Sequence, residues 1–388
     1  MIVFAFLGDK AKSAQEPIVR VLVLESANIR IRSDGSKPLF VKGLGPNQKK
    51  AKKLILQIRN GSSKYNFNGS SWSFLPSAFN LRVKSNDPRG IWLGKRRYRG
   101  ELRVFVDGDK IKVVNYIKLE KYLKSVVGSE MPKSWPNAAL KAQAIAARTY
   151  ALQQLNKKKI YDINSTISNQ VYLGIEAETI RTKKAVSNTD SIVMTYNGNL
   201  INAVFHSSSG GRTEDSGSVW RYQMPYLVSV KDFDQDNPKY YWEKKINPSN
   251  LKKLFTKIGG LNSIQVLRTS KTGRIITTKA YGPKGQLTIN GKDLRRRLGL
   301  KSTLAKLEMV PYSILSKPSN KSSPKFNRNK NQLDVPSAPR SYFLLVKGRG
   351  AGHGVGMSQW GANGLAQKGA NFRQILRHYY SGIQIGNY

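Results

Sequence analysis

The stretch LEKYLKSVVGSEMPKSWPNAALKAQAIAARTYAL, residues 119–152, decides how the middle of this chain folds. Its apolar residues recur at helical spacing in 119–127 and again, more strongly, in 137–155. The spacing predicts two helices, the first ending at Gly128, where a glycine commonly terminates a helix. Glu130 then lies on the short connector between them.

Glu130 is an isolated acid in a strongly basic chain, which has 66 Lys and Arg against 23 Asp and Glu. Three roles are open to it: a helix cap, a surface charge or a catalyst. Pro132 biases Met131 away from the helical conformation, so the connector is stiff and holds the carboxylate in place. Because the residues alone do not show burial, an exposed loop acid remains the alternative to a catalytic one.

Short strands flank the two helices and place the chain in the α+β class. The further predicted elements are β-hairpins at 18–33 and 98–117, a β-rich stretch at 263–290, and helices at 290–300 and 372–380. We therefore expect a mixed core of helices and β-strands, with a β-rich insertion and N-terminal β-hairpins.

Changes in composition suggest the domain organisation. Residues 1–16 resemble the tail of a secretory signal or an anchor remnant, with a buried first strand as the alternative. We expect an N-terminal β-rich region at 17–105 and a second region at 106–388, for which the resemblance described below implies a catalytic role. Within the latter, 240–345 is a β-rich insertion that ends in a flexible loop, 316–340, rich in Pro, Ser, Asn and Lys.

The formal net charge of +43 implies attraction to polyanions, such as nucleic acid or an anionic envelope polymer. A generally basic proteome is the alternative explanation, because the excess charge is spread along the chain. The sequence contains no nucleic-acid-binding signature, so we expect no specific nucleic acid partner. Cysteine is absent, which excludes disulfides, thiol catalysis and thiolate metal sites.

The glycine-rich segment GRGAGHGVG, 348–356, fits no nucleotide-binding motif. Its glycines would let a ligand approach His353 closely, and the following MSQWGANG adds groups suited to sugars; an incidental loop histidine is the alternative. His206 precedes SSSGG, but no GxSxG elbow accompanies it, so Ser–His catalysis is disfavoured. The three histidines of the chain, His206, His353 and His378, are far apart in the sequence, and no HExxH motif occurs. Metal binding is therefore also disfavoured.

Four segments together resemble the SpoIID/LytB family, the stage II sporulation protein D-like proteins. They are the 119–152 stretch, ISNQVYLG at 167–174, NAVFHSSSGGRTEDSGSVW at 202–220, and GRGAGHGVGMSQWGANGLAQKG at 348–369, which the HYYSG helix follows. The resemblance spans residues 118–388, and its motifs are long, ordered and individually specific.

The resemblance implies a peptidoglycan lytic transglycosylase that cleaves the MurNAc–GlcNAc bond and leaves 1,6-anhydro-muramyl ends. Glu130 matches the family's catalytic acid, and one acid suffices because the C6 hydroxyl of the sugar is the nucleophile. To act as an acid it must be protonated near neutral pH. No cofactor is implied. The implied substrate-binding residues are Arg148, Gln170, Tyr172, His206, Ser207, Ser209, His353, Ser358, Gln359 and Trp360.

One departure from the family concerns metal. Some members bind a metal through cysteines near the His-Ser loop, whereas this chain has Arg212 and Ser218 in that segment, so we expect no metal site. The expected partner is the peptidoglycan glycan strand, in an exported protein of the cell envelope. The alternative is a non-catalytic, glycan-binding enhancer of a cell-wall amidase, which would bring an amidase as a second partner. We also expect Glu130, Gln170, His206 and residues 353–360 to line one groove.

Overall fold

The structure, a computed structural model, describes residues 16–35, 37–76, 79–311 and 342–388. The chain divides into two units between residues 203 and 204. The first unit comprises the residues up to 203 with 370–376 and 382–388, and the second comprises 204–369 with 377–381. Among the described residues, no helix is both long and apolar enough to cross a membrane.

Both helices and strands are numerous, as the α+β prediction requires. The α-helices of the described residues are α1 (Leu119–Glu130), α2 (Asn137–Gln153), α3 (Ile180–Ser187), α4 (Ser216–Val219), α5 (Pro248–Leu254), α6 (Gly291–Leu298), α7 (Gln359–Gln367) and α8 (Phe372–Tyr379). The strands are β1 (Ile18–Ser26), β2 (Asn28–Arg32), β3 (Leu39–Lys42), β4 (Lys49–Ala51), β5 (Lys53–Arg59), β6 (Ser62–Phe67), β7 (Ser73–Phe74), β8 (Asn80–Ser85), β9 (Ile91–Leu93), β10 (Arg96–Tyr98), β11 (Glu101–Asp107), β12 (Lys110–Lys118), β13 (Ile163–Asn164), β14 (Ile192–Tyr196), β15 (Asn199–Leu200), β16 (Phe205–His206), β17 (Tyr241–Ile246), β18 (Ser263–Thr269), β19 (Ile275–Gly282), β20 (Gly285–Asn290), β21 (Ala305–Pro311), β22 (Tyr342–Arg349), β23 (Met357–Ser358) and β24 (Gln384–Asn387).

Two large sheets carry the N-terminal part of the first unit. One has seven strands in the order β13-β1-β12-β11-β8-β3-β4, and the other has six in the order β10-β9-β2-β5-β6-β7. Strand β5 shows why they form: Leu54, Leu56 and Ile58 are buried while the residues between them are not. This alternation gives each strand an apolar face that must be covered.

One of the two predicted hairpins is confirmed and the other is wrong. Strands β11 and β12 pair antiparallel and close at Asp107 and Lys110, as predicted for 98–117. The 18–33 segment is no hairpin, because β1 pairs with β12 and β13, whereas β2 pairs with β5 and β9 in the other sheet. Alternation identified both strands, but the break between them transfers the chain from one sheet to the other.

Helix α1 is longer than predicted, which changes the setting of Glu130. The helix continues through Gly128 and ends at Glu130, so the acid is its last residue and does not lie on the connector. A β-carbon at position 128 would lie 2.1 Å from the carbonyl oxygen of Ala177. The glycine therefore permits close packing and does not end the helix, which stops where Met131 becomes extended before Pro132.

Helix α2 packs through small side chains. It begins at Asn137, directly after Pro136. Six alanines along it are completely buried, namely Ala139, Ala142, Ala144, Ala146, Ala147 and Ala151. Small side chains leave little space between helix backbones, so α2 lies close to its neighbours α1, α3 and β14 within the first unit.

In the second unit, β-strands lie within the range 240–345, which was predicted to be a β-rich insertion. Strands β17 and β22 pair antiparallel, Tyr241 opposite Arg349, and β21 extends this sheet. Between them along the chain lie β18, β19 and β20, which confirm the 263–290 prediction, and α6, which confirms 290–300. Trp242, Phe255, Leu294 and Val346 belong to a hydrophobic cluster of this region.

The predicted domain boundaries stay a prediction. Residues 105 and 106 both lie in β11, which pairs with β8 and β12 in the seven-stranded sheet, and the two compact units divide at 203/204. The signal-like segment 1–16, apart from Glu16, and the loop 316–340 lie outside the described residues. The terminal helix is confirmed as α8, which buries Ile375 and Leu376.

Candidate functional site

Glu130 is held by a hydrogen bond from the segment that follows α2. The backbone N–H of Val171 donates to Oε1 of Glu130 at 2.6 Å, and the carboxylate is only partly buried. The neighbouring Ser129 accepts the N–H of Leu173 at 3.3 Å. One turn earlier, Ser125 donates to the carbonyl of Gly174 at 2.7 Å. The last turn of α1 therefore fixes residues 171–174 alongside the acid.

Gln170 and Tyr172 lie next to Glu130 but are almost completely buried. Gln170 accepts the hydroxyl of Tyr122 at 2.9 Å and donates to the carbonyl of Ala147 at 3.2 Å. Tyr172 donates to Oδ1 of Asn115 at 2.8 Å. Both were predicted to bind substrate, which stays a prediction; in the structure they anchor the segment whose backbone N–H reaches the carboxylate.

Arg148, another predicted substrate-binding residue, forms a buried ion pair. It is completely buried, and its guanidinium donates to both carboxylate oxygens of Glu120 at 2.7 Å. A third donor reaches the carbonyl of Ile192 at 3.0 Å. These partners hold α2, α1 and β14 together, and a contact of Arg148 with substrate stays a prediction.

In the second unit, the His-Ser loop and the glycine-rich segment meet through β16 and β23, which pair in parallel. His206 lies beside His353, with ring centroids 5.3 Å apart. Nδ1 of His206 contacts the carbonyl of Val355 at 3.1 Å. Nε2 of His353 contacts the carbonyl of Phe205 at 3.0 Å, while its Nδ1 accepts the N–H of Val355 at 3.1 Å.

Both histidines are neutral at pH 7. Burial, with the positive charge of Arg295 as the next cause, lowers the pKa of His353 to about 4. Burial also lowers the pKa of His206 well below its usual range, assisted by the proximity of the His353 imidazole and by the positive charge of Arg274. Since both ring nitrogens of His353 contact the backbone, this residue offers a ligand its ring and not a hydrogen bond.

The glycines around His353 permit the close packing of this loop. Gly352 has φ of +115°, and a β-carbon there would lie 2.6 Å from Cβ of His206. Gly354 lies directly over the guanidinium of Arg274, which a β-carbon would approach to 2.5 Å. The sequence-based expectation was close approach of a ligand, but the groups that approach these two glycines belong to the protein.

The serines divide into buried and accessible ones. Ser209 is completely buried and donates to Asp232, and Ser358 is buried and caps α7 by accepting the N–H of Gly361 at 3.1 Å. Both hydroxyls are engaged inside the protein, and their predicted role in substrate binding stays a prediction. Ser207 is partly buried, and its carbonyl accepts the N–H of Trp360 at 3.0 Å. Gln359 is buried, with 6 % of its surface exposed.

Two buried acids that the sequence reasoning missed hold the His-Ser loop in place. Asp234 accepts the hydroxyl of Ser208 at 2.6 Å and the N–H groups of Gly210 and Gly211 at 2.8 and 3.0 Å. Asp232 accepts the hydroxyl of Tyr379 at 2.6 Å. Burial, and then the charge of Asp234, raise the pKa of Asp232. The run DFDQD, 232–236, was the available signal, because it concentrates acids in a basic chain.

Trp220 is a further residue that was not selected from the sequence. Its ring lies 5.3 Å from that of His353 and is 37 % exposed. The signal was its position at the end of the quoted 202–220 segment. An exposed indole resting on a half-buried imidazole provides an aromatic surface that a sugar ring can stack on.

Comparison with known proteins identifies the family. The SpoIID family model, described as Stage II sporulation protein, matches residues 107–196, a range that includes Glu130 and Val171. Stage II sporulation protein D of Bacillus subtilis is 31% identical over 291 residues, 70% of this chain and 75% of that protein. This chain belongs to the SpoIID family.

Two other relatives are similar to this chain over stretches of about the same length. An uncharacterised protein of Brachyspira hyodysenteriae is 31% identical over 303 residues, which cover 77% of this chain and 75% of that protein. The Amidase enhancer of Bacillus subtilis is 29% identical over 291 residues, 69% of this chain and 40% of that protein.

In this SpoIID family member the predicted site residues form two groups. Glu130, Gln170 and Tyr172 are neighbours in the first unit, and His206, His353 and the serines are neighbours in the second. The prediction that residues of both groups line one groove stays a prediction. Within the described part of the chain, no three His, Asp or Glu side chains cluster in the manner of a metal site.

Proposed function

We propose that this SpoIID family member is a peptidoglycan lytic transglycosylase in which Glu130 is the single general acid and base. The observation that carries the proposal is the hydrogen bond from Val171 to Glu130, which orients a partly exposed carboxylate at the end of a buried helix. The family resemblance of the Ser-Glu-Met-Pro motif supports the choice of this acid.

The chemistry needs one proton donor that later becomes an acceptor. Glu130 protonates the oxygen of the MurNAc–GlcNAc bond, and the C1–O bond breaks. The C6 hydroxyl of the same MurNAc attacks C1, and its proton returns to Glu130, so the acid is regenerated without water entering. A hydrolytic glycosidase would need a second carboxylate to activate water or to act as the nucleophile.

The surroundings of Glu130 act on its proton in opposite directions. The N–H of Val171 stabilises the carboxylate form, because a donor at 2.6 Å favours negative charge. The carbonyl end of α1 stabilises the carboxylic acid form, because a helix C-terminus carries partial negative charge. A group that must both give and take a proton is served by such a balance.

The charge of the chain fits a substrate in the cell envelope. A net charge of +43 draws the protein toward polymers with carboxylate or phosphate groups. We therefore assign the protein to the outer side of the membrane, where it would meet the glycan strands after export.

The test is mass spectrometry of purified peptidoglycan after incubation with wild type, Glu130→Gln and Glu243→Gln. Gln keeps an oxygen that can accept the Val171 N–H, so the first variant should fold normally. Its cleavage rate should fall by about 10² to 10⁴, the usual contribution of a general acid or base. Glu243 is an exposed acid of β17, so its variant makes the same charge change and should cleave like wild type.

The products separate the proposal from its rivals. Wild type should release 1,6-anhydro-muramyl ends, because the nucleophile is intramolecular. Reducing ends would show a hydrolase and overturn the transglycosylase assignment. Binding without cleavage would instead favour a role like that named for the Amidase enhancer, and stimulation of an added amidase by the Glu130→Gln variant would support it further.

A further inference from the structure

A cavity of about 300 Å³ in the second unit has no role in the chemistry above. Its lining includes Ser207, Asn237, Pro238, Lys239, Lys301 and Trp360, and we call it the lysine cavity. Of these, Ser207 and Trp360 were expected to contact substrate, whereas Lys239 and Lys301 carry no assigned function. A cavity of this size accommodates a small ligand or one part of a polymer.

The walls of the lysine cavity are held by backbone hydrogen bonds between separate segments. Ser208 and Ala351 exchange two, at 3.0 and 2.7 Å. The N–H of Gly352 donates to the carbonyl of Lys301 at 2.9 Å, and that of Gly350 donates to the carbonyl of Tyr240 at 2.8 Å. The cavity is therefore preformed, and a ligand would not have to order its walls.

The polar side chains of the lining all carry hydrogen-bond donors. Lys239 and Lys301 are exposed, and within the described residues neither forms an ion pair. Oδ1 of Asn237 already accepts the N–H of Lys239 at 2.9 Å, so this side chain presents its amide N–H groups. Ser207 adds a hydroxyl. No carboxylate lies among the lining residues, so the cavity favours an anionic ligand.

The remaining lining is apolar and argues against a simple cationic patch. Trp360, Pro238 and Ala351 face the same cavity as the two lysines. A flat ring together with hydrogen-bond donors suits a ligand that has both a sugar-like or aliphatic face and a negative group. Inorganic anions use only the second of these features.

We propose that the lysine cavity is a subsite for a carboxylate carried by an N-acetylated sugar or by a peptide attached to it. This inference rests on the proposed function, because peptidoglycan is the polymer that presents such groups at regular intervals. Its carboxylates come from the lactyl group of a muramyl residue without a peptide, or from the peptide of a substituted one. Lys239 and Lys301 would then select muramyl over glucosaminyl units at this position.

The experiment is calorimetric titration of the full chain with three probes. N-acetylmuramic acid carries the lactyl carboxylate, N-acetylglucosamine lacks it, and muramyl dipeptide carries its carboxylate on the peptide. We expect N-acetylmuramic acid or muramyl dipeptide, or both, to bind more tightly than N-acetylglucosamine by about tenfold or more, as charge-assisted hydrogen bonds should give. Which of the two binds better identifies the source of the carboxylate.

Variants test whether the lysines are responsible. Lys239→Gln with Lys301→Gln should remove the preference over N-acetylglucosamine. Lys252→Gln with Lys253→Gln removes the same charge from exposed positions of α5 in the same unit and should keep the preference. Equal binding of all three sugars by wild type, equal loss in both double variants, or equally tight binding of inorganic phosphate would overturn the inference.

Cleavage assays separate this inference from the proposed function. If wild type discriminates the probes but cleaves no glycan, the subsite stands and the transglycosylase assignment fails. If wild type produces anhydro ends but ignores the carboxylate, the function stands and the subsite fails. In the Lys239 and Lys301 double variant, the ends produced should remain anhydro, while the substrate concentration needed for half-maximal rate should rise.

Discussion

The carbonyl oxygen of Ala177 occupies the space that a β-carbon on residue 128 would need, 2.1 Å from its ideal position. Gly128 lies two residues before Glu130. Because it has no side chain, α1 can pack closely against the short helical turn at Ile175–Ala177. The turn belongs to the chain that follows Val171, so this contact helps to place the N–H donor and the acid on the same side of the helix.

Gly128→Ala should destabilise the protein, although alanine normally stabilises a helix by about 1 kcal/mol relative to glycine. The added methyl group must displace the Ala177 backbone, at a typical cost of about 1–3 kcal/mol. Urea unfolding should show the lower free energy of unfolding. Gly386→Ala is the control, because a β-carbon there meets nothing within 4 Å. An increase in stability for Gly128→Ala would show that the turn moves away freely.

Arg148→Met should lower stability without acting directly on glycan binding. It leaves the Glu120 carboxylate without its guanidinium, and breaking a buried pair typically costs about 3–5 kcal/mol. Adding Glu120→Gln to this variant should restore part of the loss, because no uncompensated charge remains. Weaker glycan binding with unchanged unfolding would instead return Arg148 to the substrate-binding residues.

Acidification should destabilise the second unit through its histidines. The pKa of His353 is about 4 in the folded chain against the usual 6.5, so below pH 6.5 the unfolded chain binds a proton that the native chain does not. Stability should be fully present above pH 6.5 and should decline toward pH 4. The decline should approach about 1.4 kcal/mol per pH unit for each such histidine.

His353→Gln isolates that contribution, because glutamine does not titrate and can still hydrogen-bond. The urea midpoint of this variant should vary less between pH 7 and 5 than that of wild type. His378→Gln, which leaves His206 and His353 in place, should show the same pH dependence as wild type. An unchanged pH dependence in His353→Gln would mean that this histidine does not set it.

Local periodicity predicted the elements that are defined by their own residues. The β11–β12 hairpin, α2 and α6 follow from turn residues and apolar spacing, and so were predicted correctly. Partners that lie far along the chain were not: β1 and β2 differ little in pattern, yet they join different sheets. The predicted end of α1 was wrong because Gly128 permits a close contact with Ala177. The residues next to Gly128 in the sequence do not indicate that contact.

The site residues, too, could be predicted only where local sequence defines them. The choice of Glu130 came from a motif, whereas the burial of Arg148, Gln170 and Ser209 depends on partners that periodicity does not identify. Asp232 and Asp234 illustrate the reverse case, since their clustering was visible in the sequence but their contact with the His-Ser loop was not. A motif thus identifies the segment that contains the candidate site, whereas packing decides which residues of that segment remain accessible.

The β16–β23 pair also has a consequence for folding kinetics. Nδ1 of His206 and the carbonyl of Val355 meet although 149 residues separate them along the chain. Closing so long a loop is entropically costly and slow. The antiparallel pairing of β17 with β22 removes most of that loop, because it brings Tyr241 beside Arg349. The β17–β22 pairing therefore brings the two distant ends of this loop together. The backbone amides around His206 and His353 should become protected from hydrogen exchange only after the insertion has folded.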